Sequence, residues 1–280
     1  MLKVALTGAD GLVGSRIIEL LKSGFEFIPL PQKMMDITSP EQVTSTLKTF
    51  DFDIFLHLAA YTNVSGAETN RDLALKINRD GTKNVFENVI AKNKKFIYVS
   101  TDFIFDGEKP PYFEDAIPNP ISAYASSKYE GEKVVGDRAM IVRIAYPYRA
   151  DFSIKKDFYR TFRSFIEQKK PITMITDSLM TPTFIDDIAY GLKYLFNNYS
   201  PEVFHLVGSD SISPYDACIK IADIFKLDKS TIGKTTLDEY VKNRARLPRY
   251  SEIKSKKNNF YKMKTFEEGL IEIKAQLSKS

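Results

Sequence analysis

Leu2-Lys3-Val4-Ala5-Leu6-Thr7 is a strand-forming run that leads straight into Gly8-Ala9-Asp10-Gly11-Leu12-Val13-Gly14, after which a helical pattern begins. The three-residue glycine spacing constrains the fold more than any other feature. Gly8 permits a tight bend, Gly11 lets backbone approach a ligand, and Gly14 lets the helix pack closely on the strand. The free N–H groups opening that helix favour an anion such as pyrophosphate. Further along, strand-like runs at 3–7, 26–30, 54–58, 95–100 and 140–145 alternate with amphipathic stretches at 13–22, 40–49, 71–92 and 123–135. This alternation predicts an α/β fold with a parallel sheet covered on both faces, whose ligands sit at the carboxyl ends of the strands.

With 280 residues, the chain is long enough for one large domain or a domain with a smaller lobe. We expect a dinucleotide-binding domain over 1–150. The pattern loosens after Tyr148, with helices expected at 155–169, 184–196 and 214–225 and strands at 172–175 and 203–207. We read 151–280 as mainly a substrate lobe, with a return to the first domain around 176–200. A net charge of +4 does not single out nucleic acid, though it suits an anionic substrate. No apolar run reaches membrane length and no signal peptide is evident, so the expected setting is the cytoplasm, without membrane or nucleic-acid partners. Cys218 is the only cysteine, which excludes an internal disulfide, and two histidines argue against a histidine triad or metal cluster. His57, His205 and Cys218 read as packed interior residues, and no metal site is expected.

The chemistry lies at two later points. Ser100-Thr101-Asp102 ends the fourth strand-like run, and Tyr124-Ala125-Ser126-Ser127-Lys128 opens the next helix. Tyr and Lys four apart share a helix face, so the ammonium is expected to depress the tyrosine pKa and make it a usable proton donor. Thr101 is placed to bind the same carbonyl oxygen. The spacing also occurs at Tyr129/Lys133 and Tyr250/Lys254; only Tyr124/Lys128 combines it with the upstream strand end and a helix start.

Together these stretches resemble the extended short-chain dehydrogenase/reductases, and within them the dTDP-4-dehydrorhamnose reductase family. The resemblance is carried by the glycine turn, by Leu58-Ala59-Ala60-Tyr61-Thr62-Asn63-Val64, by Ser100 to Gly107 and by Tyr124 to Glu132. Thr181-Pro182-Thr183, Asp187-Ile188-Ala189, His205 to Gly208 and Pro248-Arg249-Tyr250-Ser251 extend it over nearly the whole chain. It implies a Rossmann-type doubly wound sheet with a smaller C-terminal substrate-binding lobe, acting as a monomer or homodimer. It also implies a nicotinamide cofactor and reduction of the C4 carbonyl of a nucleotide-linked 4-keto-6-deoxy sugar.

By the same resemblance, Gly8, Asp10, Gly11, Leu12, Val13 and Gly14 cradle pyrophosphate, and Asp36 and Ile37 lie against adenine. Leu58, Ala59, Ala60, Tyr61 and Ser100 line the cofactor cleft. Tyr124 protonates the carbonyl oxygen, Thr101 hydrogen-bonds it and Lys128 holds the nicotinamide ribose. Thr62, Val64, Thr101, Asp102, Phe103 and Tyr146 face the sugar. Related dehydratases carry Asp-Glu where this chain has Asp102-Phe103, which favours plain reduction.

Two positions depart from the family. Tyr146 stands in a stretch where a tryptophan is usual, and Leu247 precedes Pro248 where an arginine is common, leaving Arg246 or Arg249 to compensate at the diphosphate. No acid follows the second strand, so Arg16 or Lys33 is expected to meet a 2′-phosphate. NADP(H) is therefore favoured, with NAD(H) as the alternative. Two other functions fit the same resemblance: a regulatory subunit of the methionine adenosyltransferase type, and a nucleotide-sugar epimerase.

Overall fold

The alternating pattern folds into a single six-stranded sheet in the computed structural model, which describes residues 1–279. The elements run β1 (Leu2–Thr7), α1 (Gly14–Leu21), β2 (Phe25–Leu30), α2 (Pro40–Thr49), β3 (Ile54–His57), α3 (Val64–Thr69), α4 (Arg71–Leu75), α5 (Thr82–Ala91), β4 (Lys95–Thr101), α6 (Ala123–Val135) and β5 (Met140–Ile144). There follow β6 (Pro147–Tyr148), α7 (Phe158–Glu167), β7 (Ile172–Ile175), β8 (Thr183–Phe184), α8 (Ile185–Asn197), β9 (Val203–His205), α9 (Pro214–Phe225), β10 (Ile232–Thr235), α10 (Leu237–Val241) and α11 (Phe266–Leu277). The sheet order is β2-β1-β3-β4-β5-β9, and every pairing is parallel. β1 thus has β2 on one side and β3 on the other. That reversal of strand order opens a crevice at the end of β1, where the glycine turn sits.

Period-two alternation within β1 divides the core. Val4 and Leu6 pack on one face with Ile17, Leu21, Ile54, Leu56 and the α8 residues Ile188 and Leu192. Ala5 points to the other face, among Val43, Leu47, Phe55, Val85, Phe86 and Phe96. Each such fully buried side chain stabilises the fold by roughly 1.5–3 kcal/mol. Caps fix where helices start: the Ser39 and Ser213 hydroxyls accept from Gln42 and Asp216 N–H groups, each ahead of a proline at the first helical position. The later residues build a further core from Tyr148, Tyr159, Phe184, Ile221, Phe266 and Leu270, beside the two-stranded pairs β7–β10 and β6–β8. Between them the chain returns to the large sheet, where α8 packs against α1 and β9 adds the sixth strand. Among the described residues, no helix is long and apolar enough to cross a membrane.

Two expected helices differ. The stretch 71–92 is interrupted by a π-helical segment, Lys76–Gly81. Its Asn78 side chain is buried and faces elsewhere, accepting from Tyr61 N–H at 2.8 Å and donating to Ser127 Oγ at 2.8 Å. The helix expected from 155 starts only at Phe158. Asp157 caps it by accepting the Arg160 N–H at 2.8 Å, which leaves 151–157 as an extended strap.

Candidate active site

A cavity of about 920 Å³ lies at the carboxyl ends of the strands, and it collects residues far apart in sequence. The glycine turn forms one wall. Gly8 sits at φ +65°, and a Cβ there would lie 3.0 Å from Ala59 N. At Gly14 a Cβ would stand 2.3 Å from the Gly8 carbonyl oxygen, so only glycine lets α1 start this close to the strand. Leu12, Val13, Asp36, Ile37, Leu58, Ala59 and Ala60 also line the cavity. The turn after β3 is held from below. Thr7 Oγ1 accepts the Leu58 and Ala59 N–H groups at 3.2 Å and pairs with His57 Nδ1 at 2.8 Å, while His57 Nε2 meets Thr82 Oγ1 at 3.2 Å. Burial pushes the His57 pKa down to about 3, so this ring is neutral and structural.

Ser100, Thr101, Tyr124, Lys128 and Tyr146 line the same cavity, as do Thr62 and Val64. Ser122 caps α6 by accepting the Ala125 N–H, which fixes Tyr124 in the first turn with Lys128 one turn on. Glu132, a turn further, forms a buried ion pair with Arg143 of β5 at 2.8 Å, and Gly131 lies where a Cβ would stand 2.3 Å from the Tyr98 hydroxyl. These contacts press α6 onto the sheet. Phe103 packs edge-on against both Tyr124 and Tyr146, at 6.0 and 5.6 Å between ring centres. Tyr146 is held at φ +39°, an unusual backbone state for a residue with a side chain.

The electrostatics differ from the sequence expectation. Burial pushes the Tyr124 pKa up to about 12, opposed by the Thr101 hydroxyl and reinforced by Asp102. Burial also pushes Lys128 down to about 7, against the pull of Glu132. The expected depression of the tyrosine by the lysine is absent: burial dominates at Tyr124, and it also weakens the positive charge on Lys128, which is turned to other partners. Its Nζ donates to the Val99 carbonyl at 2.8 Å and stands 4.1 Å above the Tyr98 ring. Tyr124 is thus a protonated phenol at neutral pH, which is the form a donor needs.

Asp102, Phe103 and Tyr61 do not line the cavity. Asp102 is buried, accepts from Thr101 Oγ1 at 3.1 Å, and leaves Oδ2 without a partner. Burial raises its pKa to about 7. Folded Asp102 therefore holds a proton that the unfolded carboxyl releases near pH 4, so its contribution to stability falls as pH rises from about 4 to 7. Asp102→Asn removes that loss. Relative to wild type, the variant is expected to gain on the order of 2–4 kcal/mol between about pH 5 and about pH 8. Thermal melts of both proteins at the two pH values check this, and an equal difference at both refutes it.

Four cations expected at ligand phosphates have other surroundings. The Arg16 guanidinium is bound to Asp186 at 2.6 Å and to Gln276, and Lys33 is exposed outside the cavity lining. Arg249 is paired with Asp177 and Asp238 instead of facing a diphosphate, and Arg246 is exposed. Both bystander pairs stay outside the cavity: Lys133 pairs with Glu130 and Lys254 with Glu252. His205 is fully buried: its Nε2 accepts from the Arg143 guanidinium at 3.3 Å, its Nδ1 donates to the Lys254 carbonyl at 2.7 Å, and burial drives its pKa down to about 4. The buried Cys218 thiol is pushed up to about 12 by the same cause, which keeps it protonated and inert. Sequence reasoning missed the strap residues Phe152, Ile154, Lys155, Lys156 and Asp157, whose approach to the cavity has no local sequence signature, and the supporting contacts of Asn78 to Tyr61 and of Arg149 to Ser15.

The chain is similar to proteins with the same architecture. It is 30% identical to the Bacillus subtilis spore coat polysaccharide biosynthesis protein SpsK, over 90% of this chain and 89% of that one. It is 26% identical to bovine (Bos taurus) methionine adenosyltransferase 2 subunit beta, over 84% of this chain and 75% of that one. The crystal structure of dTDP-4-dehydrorhamnose reductase from Bacillus anthracis in complex with NADP superposes with a TM-score of 0.91 at 30% identity, covering 99% of this chain and 100% of that one. With residues 2–278 matching the RmlD substrate binding domain family, the chain belongs to the dTDP-4-dehydrorhamnose reductase family.

Proposed function

We propose that this protein is an NADP(H)-dependent reductase of the C4 carbonyl of a nucleotide-linked 4-keto-6-deoxy sugar, with Tyr124 as proton donor. One observation carries the reading: Thr101, Tyr124 and Lys128 stand on the wall of the same cavity as the glycine turn. The cradle suits a dinucleotide, because the lack of Cβ atoms at Gly8 and Gly14 lets the turn and the start of α1 pack tightly against the strand ends, with Gly11 on the cavity wall. The NADP bound by the Bacillus anthracis reductase supports the cofactor choice. When bound, that cofactor supplies hydride to the carbonyl carbon.

The chain's own residues supply the rest. Tyr124, protonated at neutral pH, gives its proton to the carbonyl oxygen as negative charge develops there. Thr101 would turn its single hydroxyl proton from Asp102 Oδ1 to the same oxygen. Lys128 binds the nicotinamide ribose, and the negative charge left on the Tyr124 oxygen favours its protonated form. Phe103 occupies the position where a dehydratase needs an acidic partner, so the site carries out reduction and not elimination. Functionally, the division is a cofactor-binding part over 1–150 and a largely substrate-binding part over 151–280.

Steady-state oxidation of NADPH with a set of nucleotide-linked 4-keto sugars tests this reading. Turnover with at least one of them, and a preference for NADPH over NADH, is expected. The similarity to methionine adenosyltransferase 2 subunit beta supports a second reading, a regulatory subunit. Stoichiometric capture of a synthetase partner, with no carbonyl reduction by the purified chain, would replace the first reading by the second.

A further inference from the structure

The strap 151–157 joins β6 to α7 across the mouth of the cavity, and Phe152, Ile154, Lys155, Lys156 and Asp157 all line it. It has no regular secondary structure, yet its backbone is pinned. Arg160 donates to the Lys155 carbonyl at 2.6 Å and to the Phe152 carbonyl. Asp157 accepts the Arg149 N–H at 3.2 Å as well as capping α7. The Arg149 guanidinium reaches back to α1, donating to Ser15 Oγ at 3.0 Å and Glu19 Oε2 at 3.1 Å. One end of the strap is therefore tied to the helix that follows the glycine turn.

From the other end, Lys155 extends over the cavity, and its Nζ donates to Thr62 Oγ1 at 3.3 Å. Its charge balance sets it apart from the nearby arginines. Arg16 is neutralised by Asp186, Arg149 by Glu19 and Arg160 by Asp157. Lys156 turns back to Ser164 Oγ at 2.7 Å. Among the described residues, no carboxylate pairs with Lys155, whose recorded side-chain partner is a neutral hydroxyl. A hydroxyl is a weak partner for an ammonium, and a phosphate oxyanion replaces it with a charge-assisted hydrogen bond. Because Arg160 already fixes the strap backbone, little ordering is lost when the side chain engages.

We propose that Lys155 is a phosphate-binding residue, which leaves Thr62 to donate to a diphosphate oxyanion of a ligand in the cavity. The inference rests on the reductase reading for its two candidate ligands, the dinucleotide and the nucleotide sugar.

The test measures binding of NADP⁺ and of dTDP, each alone, to wild type, Lys155→Met and Lys155→Arg by calorimetry, with melting temperature as the fold control. Lys155→Met is expected to weaken one ligand about tenfold, the size of a partly exposed charged hydrogen bond, with Lys155→Arg restoring most of it. Loss confined to dTDP assigns the substrate diphosphate, and loss confined to NADP⁺ assigns the cofactor. Unchanged affinity for both overturns the inference, as does a fall in both that follows a lowered melting temperature and is not rescued by arginine. If wild type binds NADP⁺ but not dTDP, the nucleotide of the proposed substrate is wrong, and the NADP⁺ arm alone decides Lys155.

Discussion

Tyr124→Phe is expected to lower kcat for carbonyl reduction by roughly 10²–10⁴-fold, the usual worth of a positioned general acid, while the dissociation constant of NADPH changes little. The asymmetry follows from the geometry. Tyr124 is almost fully buried at the base of the cavity, with Phe103 edge-on against its ring, and phenylalanine keeps that packing while deleting only the hydroxyl. Burial holds the phenol near 12, so wild-type activity should not decline through ionisation of Tyr124 below about pH 9. Single-turnover reduction and NADPH titration of both proteins provide the comparison. Unchanged turnover in the variant removes Tyr124 from the mechanism, and a parallel loss of cofactor affinity would mean the substitution acted on the fold of the site.

Gly14→Ala is expected to have a comparably large effect on the opposite quantity. The new methyl would stand 2.3 Å from the Gly8 carbonyl oxygen and 3.1 Å from the Ala9 Cα, both backbone atoms that cannot rotate away. Either α1 tilts off the strand or the glycine turn opens, and both displace the N–H groups proposed to hold pyrophosphate. Overpacking of this kind costs roughly 1–3 kcal/mol, which as lost binding energy is about 5- to 150-fold in NADPH affinity. Gly24→Ala is the matched control, because the nearest atom to its added methyl is 3.8 Å away. Equal NADPH affinity in the two variants would show that the turn is not the cofactor's cradle.

The parts of the fold readable from the chain were those written locally. β1, the glycine turn and α1 follow each other without interruption, and α2, α6 and α9 begin where a serine cap or a proline says they should. The Thr265–Glu268 capping box marks the start of α11 just as plainly, although our reading of the chain leaves that stretch unassigned. The π-helical turn at Lys76–Gly81 was not readable, since Asn78 is drawn out of register by Tyr61 and Ser127, partners 17 and 49 residues away. The strap was not readable either: the basic run before Phe158 looks like one more turn of α7 until Asp157 caps the helix.

For the site, sequence alone placed the glycine turn, Thr101, Tyr124 and Lys128, but not the strap residues, at the strand ends, because register and helical spacing are short-range consequences of backbone geometry. It could not determine their charge state or their partners. Lys128 spends its ammonium on the Val99 carbonyl and the Tyr98 ring, Arg16 is taken by Asp186 from 170 residues away, and Tyr124 is raised by burial. Desolvation and long-range ion pairing depend on what the finished packing places around each group, and only the tertiary structure decides that.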